Sequence, residues 1–231
     1  MKLVIFSDIH GNQFAFNSFL KELEKIQYDK IIFLGDIFGY YYGQLEIIEK
    51  LENLDNLIWL KGNHDDMAVS LYYNNHNEKD YIERYGHCYQ NIKNKFEKNT
   101  IEKISKLPEH IEITLDHKKI AMFHGGPNDF LNERIYPKDN VNLNSYKEFD
   151  YILMGHTHFK MLKKIDSSII INPGSLGQQR DGKGFGYVIL DTLLNEVQFN
   201  NIYFDKNLLY KEIDKFDHNF NKLKEILKRG E

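Results

Sequence analysis

The sequence predicts an α/β fold whose first half is a parallel sheet with covering helices. Three observations carry that expectation. Short apolar runs without alternation recur early in the chain. Segments with helical apolar spacing separate them. The second half then turns strand-rich, with glycine-bearing turns between strands.

The elements follow in order. Leu3–Phe6 reads as a buried strand. Phe14 to Ile26 has helical spacing through Phe16, Phe19, Leu20 and Leu23. Ile31–Leu34 is a second buried strand, Gln44–Leu54 a second helix and Leu57–Leu60 a third strand. In such β-α-β-α-β sheets, ligands sit beyond the carboxyl ends of the strands. Those ends are the loops beginning at Ser7, Gly35 and Lys61. Residues 66–107 read as helical and polar-aromatic, with Tyr72, Tyr73, Tyr81, Tyr85 and Tyr89, a candidate cap over the site. Strands are expected at 111–115, 119–123, 151–154, 168–171, 186–191 and 196–203. An amphipathic helix over 206–229 closes the chain, with Leu209, Ile213, Phe216, Phe220, Leu223 and Leu227 on one stripe. That stripe packs on the body or forms a homodimer contact.

The 231 residues suit one domain spanning 1–231, and 42% apolar residues are enough for a core. Basic and acidic side chains number 30 and 34, for a net charge of −4. That balance disfavours general nucleic-acid binding, a nuclease groove included. Cys88 is the one cysteine, so neither an intrachain disulfide nor a cysteine zinc module is available. The apolar run in Met1–Ser7 is too short for a signal peptide and meets Asp8 at once. No stretch approaches the ~20 apolar residues that span a bilayer. A cytoplasmic location without membrane contact is therefore expected.

Five of the ten histidines fall in glycine-rich turns: His10, His64, His124, His156 and His158. In Asp8-Ile9-His10-Gly11-Asn12, a carboxylate and an imidazole stand two residues apart after a strand. While the backbone stays extended, alternate side chains share a face and can grip one ion. Gly35-Asp36 follows the second strand, and two carboxylate oxygens let Asp36 bridge two cations. In Gly62-Asn63-His64-Asp65, the Asn63 amide oxygen is a neutral hard ligand, and His64 is a candidate proton donor. His124-Gly125 and Gly155-His156-Thr157-His158 end two later strands. Mixed nitrogen and oxygen donors without thiolates suit Zn, Mn, Fe, Ni or Co better than Mg or Ca.

The ordered set Asp8-x-His10, Gly35-Asp36, Gly62-Asn63-His64-Asp65, His124 and Gly155-His156-x-His158 resembles the calcineurin-like metallophosphoesterase superfamily up to about residue 190. Asn172-Pro173-Gly174-Ser175 and the following Gly177–Gly182 resemble its small prokaryotic phosphodiesterase branch. The resemblance implies a four-layer α-β-β-α sandwich of two mixed sheets. It also implies two divalent transition-metal ions, manganese among the candidates. One ion would be held by Asp8, His10, Asp36 and His158, the other by Asp36, Asn63, His124 and His156, with His64 as donor rather than ligand. A hydroxide between metals roughly 3.5–4 Å apart would attack the phosphorus in line. The stretch Ile37-Phe38-Gly39-Tyr40-Tyr41 lacks the Asp-Arg-Gly of protein phosphatases, and Asp65 stands where that branch has Glu. What orients His64 is thereby left open.

The expected activity is hydrolysis of a small phosphodiester. Phosphomonoester or dinucleoside polyphosphate hydrolysis is the alternative. A non-catalytic scaffold of the same fold is the reading from another class, opposed by a competent side chain at every ligand position. Asn12 and Arg180 are candidate substrate contacts, and Tyr40–Tyr42 and the cap tyrosines are candidate stacking surfaces for a nucleobase.

Overall fold

A computed structural model describes residues 1–74 and 76–229. Alternate residues of β1 (Lys2–Phe6) are buried on opposite faces: Val4 and Phe6 in one core cluster, Leu3 and Ile5 in another. A strand buried on both faces reads as a continuous apolar run, which is why this one was legible. β1 pairs in parallel with β2 (Lys30–Phe33), and β2 with β3 (Leu57–Trp59). β9 (Gly186–Asp191) and β10 (Glu196–Asn201) extend the same sheet antiparallel, giving the order β10-β9-β1-β2-β3.

The second sheet runs β4 (His110–Leu115), β5 (Lys118–Phe123), β6 (Tyr151–Leu153), β8 (Ser168–Pro173), β7 (Lys160–Ile165). β5, β6 and β8 are parallel, with antiparallel strands at both edges. β7 was not anticipated; its alternating Leu162, Lys163 and Lys164 give it the pattern of an edge strand. The two sheets enclose a core of Leu3, Ile5, Ile32, Leu34, Ile120, Met122, Leu153, Ile171, Val188 and Leu190. Each such side chain contributes roughly 1.5–3 kcal/mol by leaving water.

The outer face of the first sheet is covered by α1 (Gln13–Leu23) and α2 (Gln44–Glu52). Asn12 caps α1, its side chain accepting from the Ala15 N–H at 3.1 Å. The segment read as a candidate cap is helical, with α3 (Asn63–Tyr72), α4 (Glu78–Tyr85), α5 (Ile92–Lys95) and α6 (Lys98–Ser105) and a 3₁₀ turn at His87–Tyr89. The outer face of the second sheet is covered by the 124–150 segment, through Ile135, Leu143 and Tyr146. Its regular structure is one 3₁₀ turn, Asn144–Tyr146, so that layer is thinner than the sequence suggested.

The single closing helix expected over 206–229 is instead two: α7 (Lys206–Phe216) and α8 (Lys222–Leu227). The break falls at Asp217, whose carboxylate is turned inward. It accepts from the Tyr42 hydroxyl at 2.5 Å, the His87 ring at 2.7 Å and the His87 N–H at 3.0 Å. Leu209, Ile213, Leu223 and Leu227 are buried as expected, but Phe216 lies 43% exposed because the stripe does not continue through the break.

Candidate metal centre

All five predicted turns meet at one end of the sandwich, beyond the carboxyl ends of β1, β2, β3, β5 and β6. The sheets are tied together there. The His124 ring bonds the Leu34 carbonyl at 2.8 Å, the His156 N–H donates to Asp8 Oδ2 at 3.1 Å, and the Ser175 hydroxyl donates to the Asp8 carbonyl at 2.7 Å.

The local backbone differs from the extended form assumed for Asp8-x-His10. Asp8 has φ +56° and His10 φ +51°, and His156 and His158 repeat this at +64° and +61°. Asp36 lies at +69°. Left-handed backbone at five non-glycine residues is sparsely populated and costs of order 1–3 kcal/mol each, a strain that clusters at functional sites. These side chains converge through tight turns, not through strand alternation.

Hydrogen bonding fixes which nitrogen each ring presents. Nδ1 of His10 faces the Phe38 carbonyl at 2.7 Å, and Nδ1 of His158 faces the Gln178 carbonyl at 2.5 Å. A carbonyl only accepts, so each Nδ1 carries the proton and donates it. Burial, outweighing Asp36 and Asp8, holds His10 well below the usual histidine pKa, and burial with Arg180 lowers His158. Both rings are neutral, and both Nε2 atoms present bare lone pairs. Those two atoms stand 3.0 Å apart, with no proton between them.

Two carboxylate oxygens complete this arrangement. Asp8 Oδ1 and Asp36 Oδ2 are buried and accept no hydrogen bond among the described residues. Asp8 Oδ1 lies 3.2 Å from His158 Nε2 and 3.7 Å from His10 Nε2. Asp36 Oδ2 lies 3.7 Å from His10 Nε2 and 3.2 Å from His124 Nε2. His124 Nε2 also meets Asn63 Oδ1 at 3.1 Å. Although burial opposes ionisation, His158, His124 and His10 hold the Asp8 carboxyl below the usual carboxylate range. His124 and His64 do the same for Asp36. Donor atoms of Asp8, His10 and His158 lie within 4.8 Å of one another, as do those of Asp36, His124 and His156. Converging lone pairs and orphaned buried carboxylate oxygens are a donor set that divalent cations fit.

His64 forms a third grouping with His10 and Asp36. Its backbone N–H donates to Asp36 Oδ1 at 2.8 Å, and its Nδ1 is engaged by the Tyr89 hydroxyl at 2.7 Å. That tyrosine, buried in the cap, answers what orients the ring. Burial, only partly offset by Asp36, pulls His64 down to about 4, so the ring is neutral at pH 7. Gly39 leaves room for it: a Cβ there would sit 2.6 Å from His64 Nδ1 and 3.0 Å from His10 Nδ1.

Asp65 is a clamp for this loop. Its carboxylate accepts from the backbone N–H of Asp36, Ile37, Phe38 and Gly62 at 2.9, 2.8, 3.2 and 2.9 Å. Burial and the charge of Asp36 push its pKa up to about 7 against those amides.

The two candidate substrate contacts part company. Asn12 is fully buried, and both ends of its amide are used, by Ala15 and by the Gly177 carbonyl. It is a structural cap and does not face a substrate. Arg180 does stand beside the centre, its Nη2 donating to the Tyr40 hydroxyl at 3.0 Å and to Gln178 Oε1 at 2.7 Å. Arg134 was not anticipated. Its Nε donates to His156 Nε2 at 3.1 Å. Nothing in the sequence around Arg134 marks it, because the segment that carries it is irregular.

A two-sheet sandwich with histidines, aspartates and an asparagine converging at the strand ends is the architecture of a phosphoesterase with a candidate metal site. The chain belongs to the calcineurin-like phosphoesterase superfamily, whose domain matches residues 1–194. It is 29% identical over 231 residues to an uncharacterized protein of Methanocaldococcus jannaschii, MJ0912, covering 92% of each chain. The phosphodiesterase MJ0936 of the same organism is 24% identical over 175 residues, 75% of this chain and 83% of that one. A metallophosphoesterase from Sphaerobacter thermophilus shares the fold with a TM-score of 0.81 at 23% identity, each chain covered in full. No helix among the described residues is long and apolar enough to cross a membrane.

Proposed function

We propose that the protein hydrolyses a phosphodiester with two divalent transition-metal ions, one held by Asp8, His10, Asp36 and His158 and the other by Asp36, Asn63, His124 and His156. The observation that carries this is the pair of deprotonated Nε2 atoms 3.0 Å apart beside two unpartnered carboxylate oxygens. No hydrogen-bonding scheme satisfies those two facing nitrogens, whereas a cation that they share does. Bound there, the cations supply Lewis acidity toward the phosphoryl oxygens and lower the pKa of water into the range of a nucleophile near neutral pH.

The protein's own groups do the rest. Asp36 would serve both positions through Oδ2, which lies 3.7 Å from His10 Nε2 and 3.2 Å from His124 Nε2. Carbonyls of Phe38, Leu34 and Gln178 hold the rings of His10, His124 and His158 in register, an outer layer that fixes ligand orientation. His64 stands apart as donor to the leaving oxygen. The single Tyr89 hydroxyl proton is within reach of both the His64 carbonyl at 3.2 Å and Nδ1 at 2.7 Å, and the neutral His64 ring donates from Nε2 in the arrangement that turns that proton to Nδ1. Arg180, poised by Tyr40 and Gln178, offers a guanidinium to the phosphate. The completeness of the donor set favours an enzyme over a scaffold. Diester rather than monoester is favoured by the relative named a phosphodiesterase.

The test strips the protein with chelator and restores Mn, Ni, Zn, Co or Mg singly. Aryl phosphodiester turnover is compared with aryl phosphomonoester turnover. Restored activity with diester preference is expected, and no metal-restored turnover on either substrate would sink the reading. In the same assay Asp36→Asn should lose function with both ions weakened, whereas His64→Ala should keep its metals by elemental analysis and lose rate. A metal-free His64→Ala protein would show that His64 is a ligand instead.

A further inference from the structure

Beside His64 the cap opens a cavity of ≈ 230 Å³ lined by Met67, His76, Asp80, Tyr81, Arg84 and Tyr85. Tyr85 joins its wall to the site: the ring centroid stands 4.8 Å from that of His64, edge to face, and 5.7 Å from that of Tyr40. We propose that this cavity is the leaving-group subsite and that it takes a nucleobase, so that the substrate is a phosphodiester with a nucleoside on its leaving side. The inference rests on the reading of His64 as donor to the leaving oxygen. Whatever is bonded to that oxygen must lie on the His64 side, and this cavity is what the structure places there.

Three features select the occupant. First, the aromatic groups pack partly on the core cluster and still line the cavity. α4 has no buried residue, yet it carries Tyr81 and Tyr85 side by side, their rings 6.1 Å apart, with Tyr81 also 5.5 Å from Tyr89. Half-exposed tyrosines in a cavity are a stacking surface for a flat ring. Second, the polar groups are uncommitted. Arg84 makes no ion pair or hydrogen bond among the described residues, although Asp80 stands four positions before it on the same helix. Asp80 accepts only a 3.3 Å contact from Asn77. A guanidinium donor and a carboxylate acceptor at one rim match a ring with both kinds of group on its edge, which a nucleobase has and a phenyl or acyl group lacks. Third, the size is that of a ring and not of a whole ligand. Pockets enclosing drug-sized molecules run to roughly 300–1,000 Å³, so this one holds a single ring system with the phosphate outside, over the metal centre.

The experiment uses the full chain loaded with metal. Adenosine and ribose are titrated separately, with binding read by saturation-transfer NMR and by tyrosine fluorescence. Adenosine is expected to bind at least about tenfold tighter than ribose, and Tyr81→Ala to weaken adenosine by about tenfold. Tyr81→Phe keeps the stacking face and should retain adenosine binding, which separates loss of the ring from loss of the fold. In turnover, the kcat/KM preference for a dinucleoside monophosphate over methyl glyceryl phosphate should fall about tenfold in Tyr81→Ala and also fall in Arg84→Gln. Equal binding of adenosine and ribose, or adenosine binding indifferent to Tyr81→Ala, overturns the subsite. Absence of turnover with intact adenosine binding overturns the phosphodiesterase reading and leaves the subsite standing, so the two failures are distinct.

Discussion

At the residue scale, the chemistry rests on which nitrogen faces where. The histidine identities were legible because each lies in a glycine-bearing turn that follows an apolar run. Their orientation was not legible, since it depends on carbonyls of Phe38, Leu34 and Gln178, which any residue could supply. Tyr89 is the sharpest case. It lies 25 positions after His64 and was one tyrosine among several, yet its hydroxyl meets the His64 ring at 2.7 Å. Tyr89→Phe removes that oxygen and leaves the packing. A positioned proton donor is worth about 10²–10⁴-fold, so the variant should lose tenfold or more in kcat, with metal content unchanged. The loss should be larger for alkyl than for nitrophenyl leaving groups, which need less protonation. Equal losses on both would remove Tyr89 from the proton path. Gly39 makes a second prediction. At φ +99°, with no space for a Cβ against His64 and His10, Gly39→Ala must displace one ring or the loop. Strain of about 1–3 kcal/mol is expected, with weaker metal retention on dialysis; wild-type metal content and rate would show that the loop yields elsewhere.

At the scale of elements, the apolar spacing from Leu209 to Leu227 runs through without interruption and reads as one helix. The break at Asp217 was invisible because its cause is tertiary: His87 and Tyr42 are 130 and 175 positions away. Periodicity reports which face is buried, and it cannot report that a carboxylate is worth more turned inward than left on a helix surface. Asp217 joins three elements, the closing helices, the cap and the Tyr40–Tyr42 loop beside the centre. Asp217→Ala leaves the His87 N–H and the Tyr42 hydroxyl without their acceptor. Each such orphan costs about 1–3 kcal/mol. The urea midpoint should drop accordingly, while metal-restored activity per folded molecule is retained below the transition. An unchanged midpoint would mean that water replaces the carboxylate at no cost.

At the scale of the molecule, the sandwich brings together side chains from both sheets that carry opposite electrostatic demands, and His124 shows how the metal-free fold meets them. Burial alone would lower its pKa, but Asp36 and then Asp8 outweigh burial and hold it up to about 9. Its Nε2 stands 3.2 Å from Asp36 Oδ2 and 3.1 Å from Asn63 Oδ1, so the charged ring puts a positive charge where a cation would sit. His10, His64, His156 and His158 are shifted the other way and hold no extra proton, and Asp8 and Asp36 are already ionised. The folded pKa of His124 exceeds the usual 6.5 of the unfolded chain, so its contribution to the metal-free fold is complete below about 6.5 and is lost as pH rises through about 9. Metal binding needs that nitrogen bare. Loading at pH 7 should therefore expel close to one proton from His124, and affinity at its position should rise about tenfold per pH unit toward pH 9 and then level off. Calorimetry in buffers of different ionisation enthalpy measures the released proton. Release from His124 falls away as pH passes about 9, whereas release from bound water grows with pH, so the two are separable. A His124→Asn protein that releases as many protons at pH 7 as the parent would show that the exchange takes place elsewhere.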